Sequence, residues 1–465
     1  MKPTLIQGAK AIVTCDSTDR VYYDADILIE GPKICAIGKN LKAEGADVIH
    51  AQGKFIYPGL INTHHHFFQT FIRNLSTVDY PRMEVTQWLE IIYDIFRYVD
   101  SEVLYYSALT AFADLIKHGC TCAFDHQYCY NEHTGKEGID RQMQAADLLG
   151  IRYHAGRGVN TSFQIGTPEV MLHMQETLDE YLQDSERLIA RYHDPNPFSM
   201  HQIVLAPCQP LNCTKETFTQ SLSLARKHGL RLHTHMGEGE NEGMLAQYGM
   251  RTWDWLQEIG FVGDDIFVAH GWELTKAEYQ SMGKFGMGVS HCPGPAILGG
   301  YPILDIQAMQ QAGVVVSLGC DGSATNDSSS LLDALRMSFM MQAYFNKQRE
   351  GYASPYDMLK VATIYGAQTL GRQDIGSLEA GKAADLFMVD VSTLDMAGAL
   401  HDPKNLLART GVTGPVWLTM INGKVVFQDG QLMGVDEAKL AEQAEQVCTK
   451  VIRAQNPKYY ASYHY

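Results

Sequence analysis

The sequence predicts an α/β fold in which a (β/α)8 TIM barrel is joined to a small β-sandwich built from both chain ends. Apolar strand-like runs alternate with amphipathic helical stretches through the middle of the chain, as in barrels of parallel strands. Polar side chains gather where these runs end, which is where the active sites of such barrels lie. Short β-like runs near both termini predict the second unit.

The eight predicted barrel strands follow one another along the chain, separated by stretches with helical periodicity. They cover residues 55–62, 120–125, 152–156, 203–207, 231–235, 266–270, 286–291 and 314–321. The predicted sandwich strands are residues 11–14, 25–31, 33–38, 47–49, 385–390 and 417–427. We therefore expect sandwich segments at 1–56 and 385–432, the barrel at 57–384, and a C-terminal helix and tail at 433–465.

Composition and charge exclude several classes of partner. Hydrophobic residues make up 45% and charged residues 19% of the chain, as in ordinary globular proteins. A net charge of −16 argues against a nucleic-acid backbone as partner. The sequence shows no basic amphipathic stretch, signal-peptide core or bilayer-spanning run, so we expect no membrane partner. Ten cysteines without a Cys-X-X-Cys pair are typical of reduced thiols and predict a cytoplasmic protein.

Three consecutive histidines follow the first predicted barrel strand. Because strand side chains alternate between faces, His64 and His66 point to one side while His65 points away. Two imidazoles that converge at a strand end favour a metal site, and a polar strand end with solvated histidines is the alternative.

Later strand ends supply further candidates. In His233-Thr-His235 the His-X-His spacing recurs, although only one member need contact a metal. Glu238 follows closely enough to hold a shuttling proton in the same pocket, with a surface position in an acidic loop as the alternative. His270 is either a site residue or a hydrogen-bonded core histidine. Asp321 ends the last strand, where a carboxylate can bind a metal or accept a proton from water.

A metal-ligand set follows from these positions. His64, His66, His235 and Asp321 provide three nitrogens and one oxygen, which suits Zn²⁺, or alternatively Fe²⁺, with water completing the shell. The fourth predicted strand ends without a lysine. Because a carboxylated lysine commonly bridges the metals of two-metal barrels, we expect one metal per chain.

Four motifs in combination resemble the amidohydrolase superfamily. They are Pro58-Gly-Leu-Ile-Asn-Thr-His-His-His66, His235-Met-Gly-Glu238, Ala269-His-Gly271 and Gly319-Cys-Asp-Gly-Ser323. Residues 376–386 and 421–426 are similar to its C-terminal β segments, so the resemblance covers nearly the whole chain. Residues 62–75, 115–128, 154–158 and 233–240 resemble its triazine hydrolases and heterocycle deaminases. The nearest group is that of the hydroxyatrazine (hydroxydechloroatrazine) ethylaminohydrolases, with the 8-oxoguanine deaminases as close relatives.

The resemblance implies an activity and a role for each site residue. The activity is hydrolytic removal of an amino or alkylamino group from an N-heteroaromatic ring by addition of metal hydroxide. Asp321 would take a proton from the attacking water in addition to binding the metal with His64, His66 and His235. Glu238 would protonate a ring nitrogen. His270 would orient the hydroxide or stabilise the tetrahedral adduct.

Seven further residues are candidates for holding the heterocycle, although each taken alone is more often structural. They are Gln69, Arg73, Gln127, Arg157, Trp272, His291 and Asn326. Gln69 and His291 are the strongest because each lies near a predicted strand end. Many relatives carry a Ser-Asn pair shortly after the proline that follows His291-Cys, and this chain lacks it. The difference indicates a substrate pocket of another shape.

The same residues are compatible with other functions, which the sequence allows us to compare. A deaminase of a natural purine or pterin, such as 8-oxoguanine or guanine, would use the same residues. Zinc deaminases that act on nucleic acids or nucleosides need a Pro-Cys-X-X-Cys motif. The cysteines at 208 and 213 have the wrong spacing for it, which excludes this class. An inactive interaction scaffold should have lost metal ligands, yet all four are present.

The sequence of residues 436–454 predicts a helix on the outside of the protein or at a subunit contact. The aromatic tail 459–465 either docks on another subunit or frays. The resemblance implies a homo-oligomer, a dimer or larger.

Overall fold

The computed structural model describes residues 2–75, 85–163, 169–346 and 353–460 and shows a parallel barrel beside a separate mixed sheet. The predicted TIM barrel with an additional β unit is therefore confirmed. In the part of the chain that the structure describes, we find no helix with the length and apolar character needed to cross a membrane.

The strands occur in chain order with the following bounds. They are β1 (Thr4–Val13), β2 (Val21–Glu30), β3 (Lys33–Gly38), β4 (Asp47–His50), β5 (Lys54–Pro58), β6 (Leu60–Asn62), β7 (Cys120–Gln127), β8 (Arg152–Val159), β9 (His201–Pro207), β10 (Arg231–Met236), β11 (Ile266–His270), β12 (Gly288–His291), β13 (Val315–Leu318), β14 (Leu386–Asp390), β15 (Leu418–Ile421), β16 (Lys424–Gln428) and β17 (Gln431–Leu432).

The helices cover the outside of the barrel and the C-terminal segment. They are α1 (Val85–Phe96), α2 (Ser101–Lys117), α3 (Gly138–Leu149), α4 (Glu169–Leu172), α5 (Leu178–Tyr192), α6 (Lys215–His228), α7 (Asn241–Tyr248), α8 (Thr252–Glu258), α9 (Lys276–Lys284), α10 (Pro293–Leu298), α11 (Ile306–Gln311), α12 (Ser323–Asn326), α13 (Leu331–Phe345), α14 (Pro355–Val361), α15 (Ile364–Thr369), α16 (Leu406–Arg409), α17 (Glu437–Val447) and α18 (Pro457–Tyr460). Three short 3-10 helices cover Phe67–Ile72, Gly135–Glu137 and Leu394–Met396, and a π-helix covers Cys448–Arg453.

The barrel consists of the eight parallel strands β6 to β13, each hydrogen-bonded to its neighbours in chain order. Two backbone hydrogen bonds join its first and last strand ends. The Thr63 N–H donates to the Leu318 carbonyl at 3.0 Å, and the Asp321 N–H donates to the His64 carbonyl at 3.0 Å. Closure of the barrel therefore places Asp321 beside the first histidine of the triple-histidine segment.

The mixed sheet has nine strands from both ends of the chain, in the order β17-β16-β15-β14-β5-β1-β2-β3, with β4 paired to β1. It has a core of its own, in which Ile27 and Ile56 from the N-terminal part pack with Leu386 and Leu418 from the C-terminal part. Neither end could bury this apolar face alone, which explains why the two distant segments fold together.

The first predicted barrel strand is divided between the two units, which corrects the prediction for residues 55–62. Strand β5 pairs with β1 and β14 in the mixed sheet, and only β6 belongs to the barrel. Gly59 lies at the break, where a Cβ atom would be 2.0 Å from Oγ1 of Thr121. A residue with a side chain would prevent this close approach. The other domain limits stay predictions.

The barrel interior changes character from one end to the other. Ile61, Phe124, Val204 and Phe267 form an apolar cluster at the level of the strand bodies. Polar side chains replace apolar ones toward the carboxyl ends of the same strands, where they meet above this layer. The apolar cluster thus forms the floor of the candidate site.

The C-terminal segment contains a helix, α17. Helix α17 begins after Asp436, whose side chain accepts a hydrogen bond from the Lys439 N–H. It packs on α2, and an ion pair between Lys117 and Glu437 joins the two helices. Residues 461–465 of the aromatic tail lie outside the described residues, so the tail stays a prediction.

Candidate metal centre and active site

The four predicted metal ligands lie together at the carboxyl ends of β6, β10 and β13. Nε2 of His66 is 3.2 Å from Nε2 of His235 and 3.4 Å from Oδ1 of Asp321. Nε2 of His64 is 3.4 Å from the same oxygen. All four side chains are buried. As predicted, His65 points away from this group, toward Ser329.

Backbone carbonyls orient two of the three histidines. Nδ1 of His66 lies 2.9 Å from the carbonyl of His126, and Nδ1 of His235 lies 2.8 Å from the carbonyl of Cys208. Since a carbonyl can only accept, each Nδ1 must carry the hydrogen. In the neutral ring Nε2 is then an unprotonated nitrogen with its lone pair directed toward Asp321 and the other histidines.

The third histidine, His64, is oriented by a hydrogen bond to a side chain instead of a backbone carbonyl. Nδ1 of His64 lies 3.1 Å from Nε2 of His233, and Nδ1 of His233 lies 3.1 Å from the carbonyl of Phe267. Nε2 of His64 is buried and has no hydrogen-bond partner among the described residues. With Nδ1 as the donor in each ring, the Nε2 atoms of His64, His66 and His235 all direct their lone pairs toward one point, those of His66 and His235 being 3.2 Å apart.

Burial keeps these imidazoles neutral. Removal from water lowers the pKa of His64 and of His66 well below the usual imidazole value, and the neighbouring histidines lower both further. Burial also lowers the pKa of His235. A neutral imidazole is the form that binds a metal ion, so the environment prepares the rings for coordination.

The geometry and chemistry of this set fit a divalent transition metal. Three imidazole nitrogens and one carboxylate oxygen are ligands that Zn²⁺ commonly takes in enzymes. Nε2 of His64 is buried without a hydrogen-bond partner, which costs free energy. A bound cation would remove that cost. These residues therefore fit a bound divalent metal ion.

Glu238 and His270 lie beside this group. Oε2 of Glu238 is 3.4 Å from Nε2 of His270, and with Asp321 they form a cluster whose polar atoms lie within 4.8 Å of one another. Neither ring nitrogen of His270 has a hydrogen-bond partner among the described residues. His270 is therefore not a hydrogen-bonded core histidine, which was the alternative left open by the sequence.

The surroundings of Glu238 favour its protonated form. The enclosing protein raises the pKa of its carboxyl group well above the ordinary glutamate value, and the negative charges of Asp321 and Glu240 add to this. About a third of the side chain, 37%, is accessible to solvent, which moderates the shift without changing its direction. Glu238 can therefore hold a proton where a substrate would meet it.

Glu240 holds the loop that carries Glu238. One carboxylate oxygen of Glu240 accepts hydrogen bonds from the Gly237 N–H at 2.6 Å and the Thr252 hydroxyl at 2.7 Å. Its other oxygen accepts from the Glu238 N–H at 2.7 Å. A single buried carboxylate thus fixes two consecutive peptide groups between β10 and α7.

Two site residues have an unusual backbone conformation. His270 has φ 73° and Asp321 has φ 66°, the left-handed region that non-glycine residues rarely adopt. His270 is the last residue of β11, and Asp321 lies shortly after the end of β13. Such conformations cost free energy and concentrate at functional sites, where the surrounding structure maintains them.

Two of the predicted substrate-contacting residues lie next to this group. His291 is buried with neither ring nitrogen hydrogen-bonded to described residues, and burial lowers its pKa to about 4. His291 ends β12, which pairs with β11 with Ala269 opposite Ser290, so His291 lies at the same level of the barrel as His270. The Trp272 ring lies 4.4 Å from the His270 ring and stacks on Tyr301 at 4.5 Å, so it forms an aromatic wall.

Three other candidates point away from the metal-ligand group. Arg157 donates hydrogen bonds to Asp184 and Glu176, behind the barrel wall. Gln127 donates to the Cys129 carbonyl. Arg73 lines a cavity of about 480 Å³ between α2 and α17 that shares no residue with the site.

The remaining two candidates support the loop that carries Asp321. Oε1 of Gln69 accepts from the Ala324 N–H at 3.3 Å, and a Cβ on Gly322 would lie 1.9 Å from that oxygen. Asn326 donates to the Cys320 carbonyl and accepts from the Ser328 N–H. The amide oxygen of Gln69 and both amide groups of Asn326 are therefore used within the protein.

Several residues at the site received no individual role from the sequence. His126 is the penultimate residue of β7 and stacks on the His235 ring at 4.9 Å, and His233 hydrogen-bonds to His64. Cys292 has its sulfur within 4.8 Å of ligand atoms of His64 and Asp321. In the sequence, His126 and His233 could have been identified by their position near predicted strand ends. Cys292 could have been identified only because it follows His291.

The chain belongs to the amidohydrolase family, whose model matches residues 55–426. The resemblance noted in the sequence is thereby confirmed. Hydroxydechloroatrazine ethylaminohydrolase of Pseudomonas sp. (strain ADP) is 44% identical over 463 residues, which cover 97% of this chain and 96% of that protein. 8-Oxoguanine deaminase of Pseudomonas aeruginosa is 33% identical over 449 residues, which cover 95% of this chain and 97% of that protein.

A solved structure is also similar. A mutant of atrazine chlorohydrolase from Arthrobacter aurescens TC1, complexed with zinc and atraton, aligns with a TM-score of 0.92 at 30% identity. The alignment covers 96% of this chain and 100% of that chain. The whole fold, and not only the barrel, is therefore shared.

Proposed function

We propose that this chain is a metal-dependent hydrolase that removes an alkylamino or amino group from an N-heteroaromatic ring, with N-alkylated hydroxytriazines as its substrate class. The observation that carries the proposal is the convergence of three unprotonated histidine nitrogens and Asp321 beside the Glu238 carboxyl. The ethylaminohydrolase relative, similar over nearly its whole length, supports this choice of substrate.

His64, His66, His235 and Asp321 would hold one metal ion per chain. Zn²⁺ is the ion we propose, because the donor set suits it and a similar structure is described as a zinc complex. Fe²⁺ is the alternative. When bound, such an ion supplies Lewis-acid activation of water at neutral pH.

The protein's own groups would move the protons. Glu238 donates its proton to a ring nitrogen, which makes the adjacent amine-bearing carbon a better electrophile. Asp321 accepts a proton from the attacking water, and His270 hydrogen-bonds to the incoming oxygen. Asp321 then passes its proton to the exocyclic nitrogen, so that the C–N bond breaks and the neutral amine leaves. Trp272 and His291, which lie beside His270, would contact the ring.

A deaminase of a natural purine or pterin is the second candidate. The 8-oxoguanine deaminase relative favours it, because that protein is also similar over nearly its whole length. The same proton transfers would release ammonia instead of an alkylamine. We also propose that the protein is a cytoplasmic homo-oligomer.

Metal content and product release together test the function. We would quantify zinc and iron in the purified full-length protein and assay release of ethylamine and ammonia from N-ethyl hydroxytriazines, 8-oxoguanine, guanine, isoxanthopterin and cytosine. We expect one zinc per chain and fastest turnover with the N-ethyl hydroxytriazine. Faster release of ammonia from a purine or pterin would favour the second candidate.

A matched pair of variants makes the test specific. His235→Ala removes a proposed ligand, so bound metal and turnover should both be lost. His228→Ala changes an exposed histidine at the end of α6 and should leave both unchanged. Wild-type protein without tightly bound metal and without turnover on any compound would overturn the proposed function.

A further inference from the structure

We propose that His233 is a positioning residue that holds His64 in the tautomer able to bind a metal through Nε2. The inference rests on the proposed metal site and adds to it a residue that contacts neither metal nor substrate. His233 is the first histidine of the His-X-His pair on β10, and its ring lies behind that of His64, with centroids 5.0 Å apart.

A chain of two hydrogen bonds carries the inference. It runs from the Phe267 carbonyl to Nδ1 of His233 at 3.1 Å, and from Nε2 of His233 to Nδ1 of His64 at 3.1 Å. The carbonyl can only accept, so Nδ1 of His233 carries a hydrogen and its Nε2 accepts. Nδ1 of His64 must then be the donor, which leaves its Nε2 unprotonated.

The opposite arrangement of protons is unfavourable at both ends. If His233 donated through Nε2, its Nδ1 lone pair would face the lone pairs of the Phe267 carbonyl at 3.1 Å. His64 would then carry its proton on Nε2, which is 3.4 Å from Oδ1 of Asp321. A proton at that position occupies the lone pair that a metal needs. The fixed carbonyl on β11 thus determines which nitrogen of His64 is available.

Among the described residues, no second hydrogen bond reaches Nδ1 of His64, although a ring nitrogen of His126 lies within 4.8 Å of one in His64. His233 and His64 are fully buried, and the rings of Phe124 and Phe267 flank His233 at 4.7 and 4.5 Å. Without an acceptor at position 233, Nδ1 of His64 would lose this hydrogen bond. The imidazole would then favour the Nε2–H tautomer with Asp321 as acceptor, in competition with the metal.

Outer hydrogen-bond partners of metal-binding histidines typically contribute ten- to a hundredfold to metal affinity. We therefore expect His233→Leu to weaken zinc binding by about that factor. His233→Gln should bind nearly as the wild type does, because its amide oxygen can accept from Nδ1 of His64. His233→Asn should bind weakly, since its shorter amide cannot reach that atom. Zinc affinity would be measured on the full-length protein by competition with a chromophoric chelator, which needs no activity assay.

His154→Leu is the matched control. His154 is also a fully buried histidine on a barrel strand, β8, and its Nε2 lies 3.3 Å from Nη1 of Arg372. Its side chain hydrogen-bonds to no predicted ligand, and among the described residues it belongs to no group that could hold a metal ion. His154→Leu should therefore retain zinc affinity.

Two results would overturn the inference while leaving the metal site intact. One is wild-type zinc affinity in His233→Leu, and the other is equal weakening in His154→Leu, which would indicate general damage to the barrel interior. Should His233→Leu fail to fold, equal affinity of His233→Gln and His233→Asn would overturn it as well. Absence of zinc binding by the wild type would instead contradict the proposed function.

Discussion

The carboxyl oxygen Oε2 of Glu238 lies 3.4 Å from Nε2 of His270, on the side of the site next to Asp321. His270 ends β11 and Glu238 lies in the loop after β10, and their side chains meet because these two strands pair with Met236 opposite His270. His270 also has a left-handed backbone conformation that turns the chain at this point. A proton-holding carboxyl and an unpartnered imidazole thus face the same space above the metal ligands.

Replacement of Glu238 by glutamine should stop proton donation without disturbing metal binding. The amide is nearly the same size but cannot donate and take back a proton as an acid does, so we expect turnover to fall by about 10²- to 10⁴-fold. Zinc content should stay at the wild-type value, because Glu238 is not among the proposed ligands. Turnover with the best substrate and metal content would be measured on the same preparation.

Glu242→Gln is the control for this change, since Glu242 is an exposed residue of the same acidic segment. It makes the same chemical substitution and should leave turnover and metal content unchanged. Wild-type turnover in Glu238→Gln would remove the carboxyl from the proposed proton path.

Glu240→Gln should affect turnover indirectly, through the loop. Its carboxylate accepts from the N–H groups of Gly237 and Glu238, and an amide would present an NH₂ group to one of them. We expect the free energy of unfolding to fall by about 2 kcal/mol. Displacement of Glu238 should lower kcat by about ten- to a hundredfold, with KM changing little. Denaturant unfolding and steady-state kinetics test this, and lower stability with unchanged kcat would assign Glu240 a purely structural role.

The metal ligands could be predicted because two general rules suffice for them. Strand alternation directs His64 and His66 to one side, and the carboxyl ends of parallel barrel strands bring His235 and Asp321 to the same place. The same rules did not identify the task of His233. The spacing of a His-X-His pair shows that both rings face inward, but not which one reaches the metal, because that depends on depth in the barrel.

Side-chain direction explains why some predicted substrate contacts lie elsewhere. His126 points into the barrel, so its neighbour Gln127 points toward the outer helices. Arg157 likewise finds carboxylate partners outside the strands, which a sequence does not reveal because Glu176 and Asp184 belong to a later segment. The division of residues 55–62 was also hidden, since an apolar run looks the same in either sheet.

Removal of the metal should destabilise the folded protein. A ligand that binds only the native state stabilises it by about 4 kcal/mol at a thousandfold excess over its Kd. The chelator-treated protein should therefore unfold at a lower temperature, and added zinc should restore the original midpoint. In His235→Ala the midpoint should respond little to either treatment. Calorimetry tests this, and equal zinc-dependent shifts in the variant and the wild type would contradict the proposed ligand set.

Thiol reactivity should distinguish one cysteine from the others. All ten cysteines are free, and Cys35 on β3 is the one that is partly exposed, whereas the others are buried. Burial also raises the pKa of thiols such as Cys129, which suppresses the reactive thiolate. We expect a chromogenic disulfide reagent to modify about one thiol in the native protein and all of them after unfolding. Cys35→Ser should abolish the native reaction, and persistence of that reaction would show that the barrel opens readily.

Asp125 should make stability depend on pH. Its carboxyl accepts a hydrogen bond from the Phe67 N–H at 2.6 Å, directly after the metal-binding histidines, and another from Gln142. Burial raises its pKa to about 7, and these hydrogen bonds oppose the shift only in part. Because the folded state then binds a proton that the unfolded chain releases near pH 4, the stabilising effect is complete below that pH and is lost as the pH rises through about 7. Asp125→Asn keeps an acceptor for Phe67 but cannot ionise, so its free energy of unfolding should change less between pH 4 and 8, by a few kcal/mol relative to the wild type. Urea unfolding of both proteins across this range measures the difference, and parallel curves would show that Asp125 is already ionised in the folded state.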